Sequence, residues 1–151
     1  MSTFLREFLS SFSEQGDIGD VLRLFIDNYF DLLARNPQVV RFLAWELCGG
    51  GVNVRNLLKQ TLGVAPGPEL HSAFVGLIER SVREGTIRPI DPRHFLMNVL
   101  GMCLYTFLAA PILGYAFPGF DTGSEQFIRK RKTEIYELAW RGIKTYGRRS
   151  E

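Results

Sequence analysis

From Phe95 to Phe120 the chain runs for 26 residues without a charged side chain, and this limits the possible folds more than any other feature. Something apolar must cover such a stretch, either lipid or protein. About 20 apolar residues suffice to cross a bilayer. This stretch, however, contains Asn98, Thr106, Pro111 and Gly114 and ends in a Pro118-Gly119 turn. A helix that is apolar all round is also what the middle of a helical bundle requires. The other helical segments are amphipathic and need a partner to cover them. The stretch is therefore expected to be a buried bundle helix, with no membrane span.

The surrounding punctuation is helical, with Pro just inside starts and Gly just past ends. Phe4, Leu5, Phe8, Leu9 and Phe12 mark a short first helix. Asp17 is placed to cap a second, reaching about Arg35, with Ile18, Leu22, Phe25, Tyr29, Leu32 and Leu33 on one side. Arg23, Asp27 and Asp31 take the opposite side. Asn36-Pro37 starts a third helix to about Cys48, with Val40, Phe42, Leu43, Ala44 and Leu47 mostly inward, stopped by Gly49, Gly50 and Gly51. A short helix is expected from Asn53 to Leu62, and another from Pro68 to Glu84 with Leu70, Phe74, Leu77, Ile78 and Val82 on one face and Gly85 as its left-handed cap. Asp91-Pro92 opens the uncharged helix, which runs to about Ala110, where Pro111 ends or kinks it. Thr122-x-x-Glu125 is a candidate capping box for a last helix from about Ser124 to Tyr146, striped by Ile128, Ile135, Leu138, Ala139, Gly142 and Ile143. Nothing alternates with a period of two, so no strand is assigned. The expectation is an all-α, antiparallel bundle of about seven helices in one domain spanning residues 1–151.

A chain of 151 residues, 46% apolar and 23% charged, can bury a sizeable core without staples. Its net charge of +2 is too small to imply nucleic-acid binding. The basic excess lies in Arg129, Lys130, Arg131, Lys132, Arg148 and Arg149, where a four-residue run reads as a solvated helix face. Cys48 and Cys103 each sit in apolar surroundings and read as buried thiols in a reducing, cytoplasmic location. The start, Met-Ser-Thr-Phe-Leu-Arg, lacks the order of a signal peptide.

Sites of chemistry are scarce. His71 and His94 lie near helix starts with no ligand at i+3 or i+4, and there is no zinc, calcium, phosphate-loop or nucleophile-elbow motif. No catalytic residue, metal ligand or cofactor is assigned, and the chain is not expected to be an enzyme. Glu46, Asn98 and Thr106 lie among apolar neighbours. Each reads as a satisfied structural hydrogen bond or, in the rival reading, as a polar anchor in a ligand cavity. Aromatic residues come from several helices and could fill a core or line a cavity. Phe25, Tyr29, Phe42, Trp45, Phe74, Met102, Cys103 and Tyr105 are the candidates for an apolar ligand cavity.

The order of these features resembles one family. The segment Tyr29-Phe-Asp-Leu-Leu-Ala-Arg-Asn-Pro-Gln-Val-Val-Arg-Phe-Leu-Ala-Trp-Glu-Leu47 resembles a helix pair in the effector domain of tetracycline-repressor-like (TetR) transcription regulators. Leu77-Ile-Glu-Arg-Ser-Val-Arg-Glu-Gly-Thr-Ile-Arg-Pro-Ile-Asp-Pro92 is similar to the family's helix, Gly turn and next helix start, and Phe127-Ile-Arg-Lys-Arg-Lys-Thr-Glu-Ile135 to the opening of its final helix. The resemblance implies a repressor or activator with a small apolar ligand in its C-terminal domain. It also implies a homodimer through a four-helix bundle of the last two long helices, here about 92–110 and 124–146. Leu96, Leu100, Leu104, Ile128, Ile135, Leu138, Ala139 and Gly142 are the expected interface residues. The family places a helix-turn-helix before this region, and none precedes Phe4, so DNA contact is not expected of these residues themselves. The rival of a different class is a helical protein–protein interaction module with no small-molecule site.

Overall fold

The computed structural model describes residues 16–56 and 68–146, with backbone alone for 68–71. The expected helix Phe4–Phe12, most of the expected helix Asn53–Leu62, and the side chains of Leu70 and His71 lie outside the described residues. Within them, the fold is all-helical: α1 (Ile18–Arg35), α2 (Pro37–Cys48), α3 (Pro68–Arg83), α4 (Pro92–Leu108), α5 (Ala110–Ala116) and α6 (Glu125–Ile143). Residues 52–56 add a helical turn after α2. Among the described residues, the one pairing of extended backbone is an isolated antiparallel bridge between Ile87 and Lys144.

Local chemistry explains the boundaries. Asp17 accepts the Gly19 amide proton at 3.0 Å and so caps α1. Asp91 does the same for α4 through the Arg93 amide at 2.9 Å, with Pro92 in the first turn. Gly85 follows α3 at φ +76°, a region that side chains with a Cβ rarely occupy. The cap of α6 differs from the expected box. Ser124 holds the N-cap and accepts the Phe127 amide proton at 3.2 Å, so the cap lies two residues beyond Thr122 and the helix starts at Glu125. Pro111 sits in the first turn of α5, and α5 departs from α4 by 64°. Among the described residues, no single helix is long and apolar enough to cross a membrane.

Helix α1 is the hub, packing against α6, α4, α2 and α3. The larger part of the core joins Leu22, Ile26, Phe30 and Leu33 of α1 to Val40, Val99, Cys103, Ile135, Tyr136 and Ala139. A second cluster joins Ile18 and Val21 to Leu77, Ile78, Ile87 and Ile143, and Phe95 and Trp140 touch both. Phe30 is fully enclosed, its ring tilted on Phe107 at 4.8 Å. Gly19 marks the tightest approach: a Cβ there would lie 2.8 Å from the Asp17 cap oxygen and 3.3 Å from the Tyr136 hydroxyl.

Two expectations about faces are corrected. In α2, Leu47 points outward, and the buried residues are Val40 and Glu46. In α6, the stripe turns so that Tyr136 is buried while Leu138 and Gly142 are exposed. The basic run is not a uniformly solvated face either. Lys132, whose side chain keeps only 16% of its exposure, bridges Asp31 at 2.6 Å and Asp27 at 3.8 Å. Arg131 donates from Nε to the Thr106 hydroxyl at 3.1 Å.

Candidate ligand gap and outer face

Three helices converge on a wholly apolar gap. Ile18, Val21, Leu22 and Phe25 come from α1, Phe74 and Leu77 from α3, and Phe95, Leu96 and Val99 from α4. Its volume is about 30 Å³. Cavities that hold drug-sized ligands run to roughly 300–1,000 Å³. The gap as it stands is therefore a packing defect at the seam of the two core clusters, along the line where α3 meets α1 and α4.

The expected cavity residues divide around this gap. Phe25 and Phe74 line it. Tyr29 stacks on Phe25 one turn away, with ring centres 5.6 Å apart, and burial, with a smaller contribution from Cys103, pushes its hydroxyl up to about 12. Cys103 is enclosed in the main core, and desolvation pushes its thiol up to about 12 despite the opposing charge of Arg131. Phe42 is half-buried on α2. Met102 faces an outer groove instead of the gap. Trp45 and Tyr105 are 67% and 64% exposed and stand away from the gap. Sequence reasoning missed Ile18, Val21, Leu22, Leu77, Phe95, Leu96 and Val99. Spacing placed Ile18, Leu22 and Leu77 on apolar faces and Leu96 was expected at the interface, but nothing local shows which apolar residues border a void.

The polar residues of the core resolve into structural bonds. Thr106, buried on α4, donates its hydroxyl proton to the Met102 carbonyl at 2.9 Å and accepts from Arg131. Glu46 accepts from Asn53 and Val54. Asn98 is exposed on the outer face of α4. Cys48 is exposed, contrary to the expectation of burial. Among the described residues, no group of three or more His, Cys, Asp or Glu is placed to hold a metal ion.

On the side away from α1, helices α4 and α6 form a second apolar surface. Met97 and Leu138 are 68% and 67% exposed, and Tyr105 and Leu108 continue the strip. Gly101 and Gly142 lie on exposed positions, and a Cβ at either would meet nothing within 4 Å. A groove of about 480 Å³ runs along one end of this face, between Phe95, Asn98 and Met102 of α4 and Leu138, Ala139 and Gly142 of α6, with Arg88 and Asp91 at its rim. Of the expected interface residues, Leu138 and Gly142 lie open on this face. Ile135 and Ala139 are buried in the chain's own core, Ala139 also bordering the groove. Leu96 lines the inner gap, and Leu100, Leu104 and Ile128 are half-buried, the last two against the core.

The described residues thus form an all-helical domain with a hub helix, an interior seam and a bare two-helix apolar face. The family model described as "Tetracyclin repressor-like, C-terminal domain" matches residues 20–147, and the chain belongs to that family. No curated protein matches the chain.

Proposed function

We propose that the chain is the effector-binding and dimerisation domain of a transcription regulator that works in the cytoplasm. The observation that carries this reading is the outer face of α4 and α6. Helix α4, uncharged from Phe95 onward, is covered by its own chain on one side only, where Val99, Cys103 and Thr106 are buried. Its other side leaves Met97, Gly101, Tyr105 and Leu108 bare beside Leu138. Contiguous exposed apolar surface of this kind marks an interaction site. The open glycines would let a second pair of helices approach closely, since interaxial distance follows side-chain size at the contact. A twin with the same face completes a four-helix bundle.

In this reading the effector is a small apolar or aromatic molecule that enters the seam between α1, α3 and α4. A gap of about 30 Å³ admits such a guest only if α3 moves outward. The ligand then selects between two subunit arrangements, in proportion to its differential affinity for them. DNA contact belongs to a helix-turn-helix joined to such a domain.

Size-exclusion chromatography with light scattering tests the pairing. A dimer at micromolar concentration is the expected result, and a clean monomer removes the main support. Native mass spectrometry tests the ligand, with a co-purified small molecule as the expected finding.

The nearly filled interior favours one rival, a module that docks a partner protein's helix in the outer groove without any small-molecule site. No bound small molecule, and no shift in melting across a panel of apolar and aromatic compounds, would support that reading.

A further inference from the structure

Helices α3 and α6 do not pack side by side. They are nonetheless joined backbone to backbone through the strap that follows α3. The Ser81 carbonyl accepts the Thr86 amide proton at 3.0 Å and, more weakly, that of Ile87 at 3.4 Å. These two bonds tie the strap to the last turn of α3. From it, the Arg88 amide donates to the Ile143 carbonyl at 2.8 Å, and Arg88 Nε donates to the Gly142 carbonyl at 2.7 Å. In return, the Thr145 amide donates to the Thr86 carbonyl at 3.1 Å. The Ser81, Gly142 and Ile143 acceptors are among the carbonyls that the end of a helix leaves without an internal partner. Between them, Ile87 is buried against Leu77, Ile78 and Ile143.

The two ends of this clamp lie at different sites. On the α3 side, Phe74 and Leu77 wall the apolar gap, and the Leu77 carbonyl holds the buried Ser81 hydroxyl at 2.8 Å. On the α6 side, Leu138 and Gly142 belong to the outer face. The same strap runs on through Ile90 to Asp91, the cap of α4. It thus holds one end of each helix that builds the outer face and supplies Arg88, Ile90 and Asp91 to the groove there.

We propose that the Thr86–Arg88 strap and its bonds to Gly142, Ile143 and Thr145 form a mechanical coupler between the apolar gap and the outer face of α4 and α6. Displacing α3 from α1 and α4 shifts the strap. The strap then shifts the C-terminal end of α6 and the N-terminal end of α4 together, through its bonds to Gly142, Ile143 and Thr145 and its continuation into the Asp91 cap. The coupling rests on the effector reading for its biological use, but its mechanics do not depend on any ligand.

Hydrogen exchange followed by NMR tests it on the whole chain. Phe74→Ala loosens the α3 wall of the gap, and Phe74→Leu is a milder change should the first fail to fold. Exchange at the Arg88 and Thr145 amides is expected to speed up by at least about fivefold, the lower end of typical coupling between sites. Exchange at Ile135 and Ala139, in the middle of α6, is expected to hold. No change at Arg88 and Thr145, or equal acceleration along all of α6, overturns the proposal. A second arm adds toluene to the unaltered protein, its entry read from the methyl shifts of Val21 and Leu77. Toluene in the gap with shifted Arg88 and Thr145 amides supports the coupler, and toluene in the gap with both amides unmoved overturns it. Exclusion of toluene counts against the effector reading alone, and the Phe74 variants still decide the coupler.

Discussion

Glu46 holds the start of the next helical turn through Asn53: the Asn53 side-chain amide donates to the carboxylate at 2.6 Å and its backbone amide at 2.8 Å. The Val54 amide adds a third bond at 3.1 Å. A carboxylate at the last turn of α2 thus caps residues 52–56 across the glycine corner, where Gly50 and Gly51 take φ of +88° and +71°. The acid lying between two outward apolar side chains, Trp45 and Leu47, is therefore a structural bond and not a ligand anchor.

The Asn53 side chain, followed by the backbone amides, holds the Glu46 carboxyl below the ordinary glutamate value of 4.5. A depressed folded value means a contribution that is present above pH 4.5 and lost as pH falls through the lowered value. Glu46→Gln should therefore speed amide exchange at Asn53 and Val54 at pH 7 and leave the Ile26 and Phe30 amides unchanged. The same amides in the unaltered protein should loosen on acidification below that point. Exchange at both amides that ignores the substitution would show that the cap does not hold the turn.

Burial raises both Cys103, from 9.0 to about 12, and Tyr29, from 10.0 to about 12. Their contribution to stability is complete below about pH 9, where both are neutral folded and unfolded, and declines as pH rises toward 12. Thermal melts between pH 7 and 11 should show a fall in Tm beginning near pH 9, smaller in Cys103→Ala once its lower starting point is allowed for. At pH 8, a thiol reagent should label the exposed Cys48 and spare Cys103 until the fold opens.

Phe30 is enclosed on every side, against Phe107 and the facing core residues. Phe30→Ala should cost about 3–5 kcal/mol, the usual result of emptying a site that cannot collapse. Phe30→Leu should cost less. Urea denaturation monitored by circular dichroism measures both, and a loss under 1 kcal/mol for the alanine variant would mean that this part of the core repacks freely.

Charge placed on the outer face should separate association from folding. Leu138→Glu and Gly101→Arg alter positions that touch little of their own chain. Each should leave helicity and Tm of the single subunit near the starting value while shifting the light-scattering mass from dimer to monomer. Variants that remain dimers would place the interface elsewhere.

Much of the architecture was legible in the sequence because it depends on local chemistry. Asp17, Asn36-Pro37, Gly85, Asp91-Pro92 and Pro111 act within a turn of themselves, and each falls at or beside the expected boundary. The family assignment was legible for a related reason: it rests on the order and spacing of such signals, which the match over residues 20–147 supports. At α6 local chemistry is ambiguous, since Thr122 and Ser124, two hydroxyl residues either side of Gly123, could each cap it and the chain uses Ser124.

What the sequence determined, then, is where helices begin and end and that the stretch from Phe95 to Phe120 must be covered. Tertiary packing alone decided which side of each helix is covered by its own chain. A rotation of α6 buries Tyr136 and exposes Leu138, and nothing in that helix's own periodicity distinguishes the two settings. The gap and the clamp are of the same kind. Each is made by residues distant in sequence, so the spacing of Phe74, Arg88 and Thr145 along the chain carries no record of their meeting.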